Sequence, residues 1–327
     1  MATKPRWGIL GTGWIADLFT KDLLLTGRTV SAVGSRSQAS ADRFAAQFGI
    51  PKGYASYEEL AADPAVDVIY IATPHPMHYA NAKMALMAGK HVLIEKPFTI
   101  NSAQAQEVVA LAEAKSLVAL EAMWTRFLPH MVRLREILSS GVLGDIRSVI
   151  ADHTQDLPDD PAHRLNALAL GGGALLDLGI YPISLAWDVL GEPQSIQATA
   201  TFKKTGADAQ VATLFKYSSG AMAVTLSASD CAGPNRAAVI GTEGRIEIER
   251  VWYEPTSLHV FDNKNRVTSE FNSAIIGRGM HFEAAETERL ILAGRTAGET
   301  MPPSQTVAIM GTLDTIRSQI GLKYPDE

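Results

Sequence analysis

The stretch WGILGTGWIA, residues 7–16, joins an apolar run typical of a strand to the first turn of a helical pattern. In such a unit Gly11 permits the tight turn, Gly13 lets the backbone approach a pyrophosphate, and Ala16 allows close packing of the helix. The helix N-terminus offers oriented N–H donors to the anion, although a glycine-rich turn without a ligand is the alternative. The stretch predicts these dinucleotide-binding residues: Gly11, Thr12, Gly13, Trp14 and Ile15.

Strands and helices alternate through the rest of the first third of the chain. Further apolar, β-branched runs predict strands at residues 30–33, 68–72, 91–94 and 117–120, with helical patterns between them. Ser56 followed by Glu59 indicates a helix start. The run 68–72 is apolar throughout, as in a strand that is covered on both faces. These five runs, residues 7–10 included, fit the six-stranded, doubly wound parallel sheet of a Rossmann fold, so we predict an α/β Rossmann domain over residues 1–122.

The pattern changes after about residue 122. A helix near 131–138 and a strand around 147–153 precede a polar stretch rich in Asp and Pro, which predicts an exposed loop. Short apolar runs separated by Ser-Gly and Glu-Gly turns then follow at residues 210–217, 221–229 and 245–249. They predict an α+β domain over residues 123–327 with a large, mainly antiparallel open sheet. Because no Pro-rich linker separates the halves, we expect the domains to meet across a cleft.

Composition excludes several classes of function. The 327 residues carry a net charge of −6, which leaves no basic excess to neutralise nucleic-acid phosphates. No run approaches the roughly 20 apolar residues that span a bilayer, and residues 1–6 contain no signal-peptide core, so we expect a cytoplasmic protein without a membrane partner. Cys231 is the only cysteine and is expected to be a small core residue. No histidine spacing typical of a zinc site occurs, so no metal is predicted.

The end of the second predicted strand indicates which dinucleotide binds. An acidic residue at this position contacts the adenosine ribose and selects NAD, but residues 33–37 read VGSRS. The hydroxyls of Ser35 and Ser37 and the guanidinium of Arg36 suit a 2′-phosphate, because arginine binds phosphates bidentately. NADP is therefore predicted over NAD. The alternative is that Arg36 stacks on the adenine or faces solvent.

Polar residues also follow the next two strands along the sheet, at the edge where ligands of open α/β sheets bind. Thr73, Pro74 and His78 are predicted to contact the cofactor, although a histidine at a helix start is as often satisfied by backbone groups. Glu95 and Lys96 follow the strand at 91–94. An ammonium group at this edge can reach both the nicotinamide ribose and a substrate hydroxyl, so both residues are assigned to the site.

In the second domain, a Gly-Gly-Gly segment at residues 171–173 leads into a helical pattern that contains Asp177 and Tyr181. Their i, i+4 spacing predicts that a carboxylate and a phenol project from one face of an otherwise apolar helix. A phenol is a usable base only where a cation lowers its pKa, and Lys96 is a candidate for that cation. The alternative is a buried, hydrogen-bonded pair with a structural role.

These motifs together resemble the glucose-fructose oxidoreductase and inositol dehydrogenase family over essentially the whole chain. The glycine-rich turn, Thr73-Pro74, Glu95-Lys96-Pro97 and the glycine segment before Asp177 carry the resemblance. The EAMWTRF sequence at residues 121–127 and the tyrosine at 181 look like the dimeric dihydrodiol dehydrogenase branch, which also contains NADP-dependent xylose dehydrogenase. Inositol dehydrogenase-like members have His where this chain has Tyr181, which makes an inositol substrate less probable.

The resemblance implies roles for individual residues. Lys96 would hydrogen-bond the reacting oxygen, Tyr181 would act as acid or base, and Asp177 would orient the substrate. Trp124 and Arg126 would flank the nicotinamide, although plain packing is the alternative for the tryptophan. The reaction implied is hydride transfer between NADP and a CH–OH carbon of a sugar, a polyol or a cyclic trans-dihydrodiol.

Two other functions fit the same motifs. One is an NAD(P)-dependent glycosidase that uses the cofactor transiently, and the other is a nucleotide sensor that has lost turnover. The family also implies a homodimer or a dimer of dimers, formed through the open face of the second sheet, because an uncovered sheet exposes apolar surface.

Overall fold

The computed structural model describes residues 4–325, which form strands and helices in two units. The strands are β1 (Trp7–Leu10), β2 (Val30–Gly34), β3 (Lys52–Tyr54), β4 (Val68–Ile71), β5 (His91–Glu95), β6 (Ala119–Ala122), β7 (Ile146–Thr154), β8 (Ser195–Phe202), β9 (Asp208–Lys216), β10 (Met222–Ala228), β11 (Ala237–Gly241), β12 (Gly244–Ile248), β13 (Ser257–Asp262) and β14 (Val267–Asn272). The α-helices are α1 (Trp14–Leu25), α2 (Gln38–Phe48), α3 (Tyr57–Ala62), α4 (His78–Met87), α5 (Ser102–Ala114), α6 (Pro129–Ser139), α7 (Ile180–Leu190), α8 (His281–Leu292) and α9 (Pro303–Ile320).

Unit 1 comprises Met1–Trp124 and Ile275–Met310, and unit 2 comprises Thr125–Ala274 and Gly311–Glu327. The sequence predicts one boundary near residue 122, whereas the chain returns to unit 1 after the second sheet is complete. The physical reason lies in α8, which packs on α1 and β5. Glu288 of α8 accepts hydrogen bonds from Trp7 Nε1 and Arg28 Nε, both at 3.0 Å.

Unit 1 contains one parallel sheet with the strand order β3-β2-β1-β4-β5-β6. Strands β1 and β4 are buried along their whole length, as continuous apolar runs predict. Gly11 has φ +107, and a Cβ there would lie 2.9 Å from the carbonyl oxygen of Ala72, so only glycine fits this turn. The predicted doubly wound Rossmann sheet is confirmed.

Unit 2 contains an eight-stranded sheet with the order β14-β13-β12-β11-β7-β10-β9-β8. Neighbouring strands are antiparallel except for the central pair β7 and β10, which is parallel. Helix α7 packs on β7 and β10 and covers the inner face of the sheet. The mainly antiparallel sheet predicted from the sequence is confirmed.

One helical stretch in the described part of the chain, Leu168–Leu190, is long and apolar enough to cross a membrane by its length and composition. It is mostly buried within unit 2 and includes α7, so it serves as the core helix of that unit. Its apolar character follows from this burial, since a helix that is apolar on all sides needs cover on all sides.

The expectation that Cys231 is a core residue is wrong, because its side chain is exposed. Cys231 follows β10 in an irregular segment, beside Asp230. Partial desolvation and the neighbouring carboxylate of Asp230 raise the pKa of its thiol.

Candidate active site

The glycine-rich turn of unit 1 lies beside the end of β2. The N–H of Gly11 donates to the carbonyl of Gly34 at 2.9 Å, and the hydroxyls of Thr12 and Ser35 are 3.5 Å apart. Gly13 precedes the first residue of α1, and among the described residues nothing beyond its chain neighbours lies within 4 Å of the position its Cβ would take. This open approach to a helix N-terminus fits a dinucleotide pyrophosphate.

The predicted 2′-phosphate residues surround the N-terminus of α2. Ser37 is the N-cap, and its hydroxyl accepts a hydrogen bond from Ser40 N at 3.3 Å. Ser35 is buried and Arg36 is exposed just before the helix. Burial raises the pKa of the Tyr57 phenol, and the positive charge of Arg36 opposes this rise. A cation, two hydroxyls and a helix N-terminus together suit a bound phosphate.

His78 joins the segments that follow β4 and β5. Its ring nitrogens lie 2.8 Å from two backbone carbonyl oxygens, Nε2 from Thr73 and Nδ1 from Pro97, and the side chain is fully buried. Asn81 donates to the Thr73 hydroxyl at 3.1 Å, while Pro74 precedes a short 3₁₀ turn. These contacts favour the alternative in which backbone groups satisfy His78. Its contact with the cofactor stays a prediction.

Lys96 is positioned by the residue before it. The Glu95 carboxylate is buried at the end of β5, where it accepts hydrogen bonds from the Tyr70 hydroxyl and, at 3.1 Å, from Lys96 N. A cis peptide bond follows Lys96, whose own side chain is half-buried. The carboxylate of Glu95 thus fixes the backbone from which the Lys96 ammonium extends.

In unit 2, Asp177 lies in a π-helical turn, Leu175–Gly179, which runs directly into α7. The widened turn interrupts the regular α-helical spacing before Tyr181, so the projection of Asp177 and Tyr181 from one face stays a prediction. Asp208 holds the start of the turn by accepting a hydrogen bond from Leu175 N at 2.6 Å. Such turns occur frequently at functional sites.

Asp177 and Tyr181 are both buried, and the Asp177 carboxylate lies 3.4 Å from Nη1 of Arg164. Two further rings pack around the phenol: the ring of His153 is 4.9 Å from that of Tyr181, and the ring of Tyr253 is 5.6 Å from it, centroid to centroid. His153 and Tyr253 stack on each other at 3.6 Å. We call these three rings, of His153, Tyr181 and Tyr253, the aromatic wall.

Sequence reasoning missed two members of the aromatic wall. A polar residue at the end of the predicted strand 147–153 was an available signal for His153, but Tyr253 lies in a segment without a motif. Gln155 orients the cluster, with its amide nitrogen 2.9 Å from His153 Nε2 and 3.5 Å from the Tyr253 hydroxyl. Burial raises the pKa of Tyr253 to about 12, so this phenol stays protonated at neutral pH.

The two residues predicted to flank the nicotinamide belong to different units. Trp124 is buried in unit 1. Arg126 is buried in unit 2, where its guanidinium donates to the hydroxyl of Ser184 at 2.9 Å and to its carbonyl at 2.7 Å, and pairs with Asp188 at 3.4 Å. These acceptors on α7 give Arg126 a structural role. Its contact with the cofactor stays a prediction, as does that of Trp124.

Lys96 belongs to unit 1, whereas Asp177 and Tyr181 belong to unit 2. Within the described residues, no group of three or more His, Cys, Asp or Glu side chains is arranged to hold a metal ion.

A Rossmann unit followed by an α+β unit with a large, mainly antiparallel sheet is typical of a class of two-domain oxidoreductases. Residues 5–122 match the oxidoreductase family with an NAD-binding Rossmann fold, and residues 131–247 match the GFO/IDH/MocA C-terminal domain. The chain belongs to the GFO/IDH/MocA oxidoreductase family. The predicted family is therefore confirmed, and with it the prediction that the protein is an enzyme.

Several relatives are similar along almost their whole length. Trans-1,2-dihydrobenzene-1,2-diol dehydrogenases from Mus musculus and Homo sapiens are each 36% identical, with 98% of this chain and 98% of each relative covered. A D-xylose 1-dehydrogenase (NADP(+)) from Hypocrea jecorina is 32% identical and covers 98% of this chain and 93% of its own.

Solved structures are similar as well. An aldose-aldose oxidoreductase from Caulobacter crescentus aligns with a TM-score of 0.87 at 25% identity, covering 97% of both chains. A 3-ketoreductase from Actinomadura kijaniata, in complex with NADP and TDP-benzene, aligns with a TM-score of 0.85 at 26% identity, covering 97% of this chain and 98% of its own.

Proposed function

We propose that the protein transfers a hydride between NADP and a CH–OH carbon of a ring-shaped substrate, either a cyclic trans-dihydrodiol or a sugar. The aromatic wall around the Tyr181 phenol is the observation that carries this proposal. Aromatic rings beside a phenol suit a ring-shaped substrate, and the Asp177 carboxylate can accept a hydrogen bond from a substrate hydroxyl. The names of the relatives, which include diol and sugar dehydrogenases, support the same substrate class.

NADP fits the residues of unit 1. Ser35, Arg36 and Ser37 supply hydroxyls and a cation at the end of β2, and no acidic side chain stands there to repel a 2′-phosphate. The open approach at Gly13 fits the pyrophosphate. A relative named for NADP(+) and a structural neighbour bound to NADP support this assignment.

The mechanism assigns one task to each of three side chains. Tyr181 removes the proton of the substrate hydroxyl during oxidation and returns it during reduction. The Lys96 ammonium stabilises the negative charge that develops on the oxygen, and Asp177 orients the hydroxyl by accepting its hydrogen bond. Bound NADP supplies the carbon that accepts the hydride.

Assembly and location complete the proposal. The outer face of the sheet in unit 2 exposes Ile150, Val224 and Leu214, which are neighbours in register on β7, β10 and β9. An apolar row across three strands favours pairing with a second copy of the chain, so a homodimer or dimer of dimers is proposed. A cytoplasmic location without nucleic-acid or membrane partners stays a prediction from composition.

The test is NADPH formation by the purified chain with D-xylose, D-glucose, polyols and trans-dihydrodiols as substrates. We expect turnover with ring-shaped substrates, lowered by Tyr181→Phe by about 10²–10⁴-fold and by Lys96→Met by about 10²–10³-fold. Matched controls are Tyr217→Phe, whose buried hydroxyl has no hydrogen-bond partner, and Lys264→Met in an exposed turn. Both controls should retain activity. Tight NADP binding without turnover in either direction would contradict the proposal and favour the glycosidase or the sensor.

A further inference from the structure

Arg278 lies against two tryptophan rings in unit 1. Its guanidinium carbon is 5.1 Å from the ring centroid of Trp124 and 5.7 Å from that of Trp14. Trp14 is the first residue of α1, directly after Gly13, and 66% of its side chain is exposed. The positive charge is therefore held beside the helix N-terminus that follows the glycine-rich turn.

The backbone of Arg278 is fixed by a buried carboxylate on α1. Asp22 accepts hydrogen bonds from the N–H groups of Arg278 at 2.9 Å, Gly279 at 2.7 Å and Met280 at 2.8 Å. Gly277 has φ +70, and a Cβ on it would lie 2.3 Å from a carboxylate oxygen of Asp22, so glycine is required for this approach. The segment cannot shift without breaking charge-assisted hydrogen bonds.

The chemistry of a nicotinamide dinucleotide limits what such a cation can bind. The oxidised nicotinamide ring is itself positive, and the 2′-phosphate is assigned to the residues at the end of β2. The diphosphate remains, and it is the group that a helix N-terminus after a glycine-rich turn binds. The N–H groups of a guanidinium lie in its own plane, so stacking on a tryptophan ring leaves them able to donate to phosphate oxygens.

We propose that Arg278 is a cofactor-binding residue that donates to the diphosphate of NADP, with Trp14 and Trp124 holding its guanidinium in place. The inference rests on the proposed function, because it requires NADP to be the cofactor. It assigns the segment before α8, which lies far from the Rossmann motifs in sequence, to the dinucleotide site.

The test compares three ligands on the purified full chain and on Arg278→Met by calorimetric titration and competition. NADP and 2′-phospho-ADP-ribose contain the diphosphate, whereas adenosine 2′-monophosphate lacks it. Hydrogen bonds to charged groups contribute about 1.5–3 kcal/mol each, so we expect the variant to bind the first two ligands about 10- to 100-fold more weakly. Its affinity for adenosine 2′-monophosphate should be unchanged. Arg295→Met, an exposed arginine of unit 1, is the matched control and should bind all three normally.

Two results would overturn the inference. Unchanged NADP affinity in Arg278→Met would show that the guanidinium does not reach the diphosphate. An equal loss for all three ligands would show that Arg278 only supports the fold. If the unaltered chain itself binds neither NADP nor adenosine 2′-monophosphate, the proposed function fails, and the inference fails with it.

Discussion

Glu283 is a fully buried acid on α8, and neither of its carboxylate oxygens has a hydrogen-bond partner among residues 4–325. Burial raises its pKa well above the usual value, and the nearby carboxylates of Glu95 and Asp22 raise it further. A buried carboxyl group without a partner is much less costly when it is neutral, so the fold favours the protonated form of Glu283 over the ionised form.

Replacing Glu283 with Gln is expected to stabilise the protein at neutral pH. In the unfolded chain Glu283 ionises near its usual pKa of about 4.3, whereas in the fold its pKa is higher. The contribution of Glu283 to stability is therefore full below its pKa in the unfolded chain, and it is lost as pH rises from that pKa to the higher pKa in the fold. Urea unfolding should show Glu283→Gln more stable than the unaltered chain at about pH 7 and equal to it near about pH 4. A stability difference that does not depend on pH would contradict this explanation.

Residue types at strand ends predict part of the candidate site. Lys96 follows a buried strand and Asp177 follows a glycine segment, so both stand out in the sequence as charges in apolar surroundings. Arg278 and Tyr253 do not, because their neighbours come from distant parts of the chain. No local pattern indicates which aromatic ring a guanidinium will contact after folding.

The side chain of Asp22 fixes the backbone of residues 278–280, the segment before α8. Asp22 accepts the N–H groups of residues 278–280, and no side chain caps the start of α8. The carboxylate thus satisfies three backbone donors of the segment that leads into the helix. It also joins the last part of unit 1 to α1.

Asp22→Ala should lower the free energy of unfolding by about 2–4 kcal/mol, because it leaves buried N–H groups without an acceptor. The same substitution at Asp17, on the exposed side of α1 in an ion pair with Lys21, should cost less than about 1 kcal/mol. Urea denaturation of both variants measures the difference. Equal losses of unfolding free energy in the two variants would mean that the hydrogen bonds accepted by Asp22 do not stabilise unit 1.

Helices and strands with a strong apolar period are predictable, whereas irregular elements are not. The βαβ pattern predicts most of the parallel sheet, but β3 is a three-residue edge strand with too few apolar positions to be distinguished. The π-helical turn at Leu175–Gly179 depends on Asp208 and on packing against the sheet, neither of which is local. Tertiary contacts therefore decide the details on which the site depends.

Across the whole molecule, the apolar row of the sheet in unit 2 makes assembly testable. Val224→Arg places a charge between Ile150 and Leu214 and should convert the proposed dimer to a monomer in sedimentation velocity experiments. Val267→Arg, on the edge strand β14 of the same sheet, is the matched control because Val267 is also exposed. The control should leave the dimer intact. A Val224→Arg variant that sediments like the unaltered chain would exclude this face as the interface.

Because residues 275–310 belong to unit 1, this unit is completed during synthesis only after residues 125–274 of unit 2 have been translated. All of Thr125–Ala274 must be translated after β6 before α8 can pack on α1 and β5. At about 5–20 residues per second, the nascent dinucleotide-binding unit waits on the order of ten seconds with the surface for α8 uncovered. A ribosome that stalls in this interval leaves a chain that has its glycine-rich turn but lacks Arg278, and the uncovered surface of unit 1 then favours aggregation.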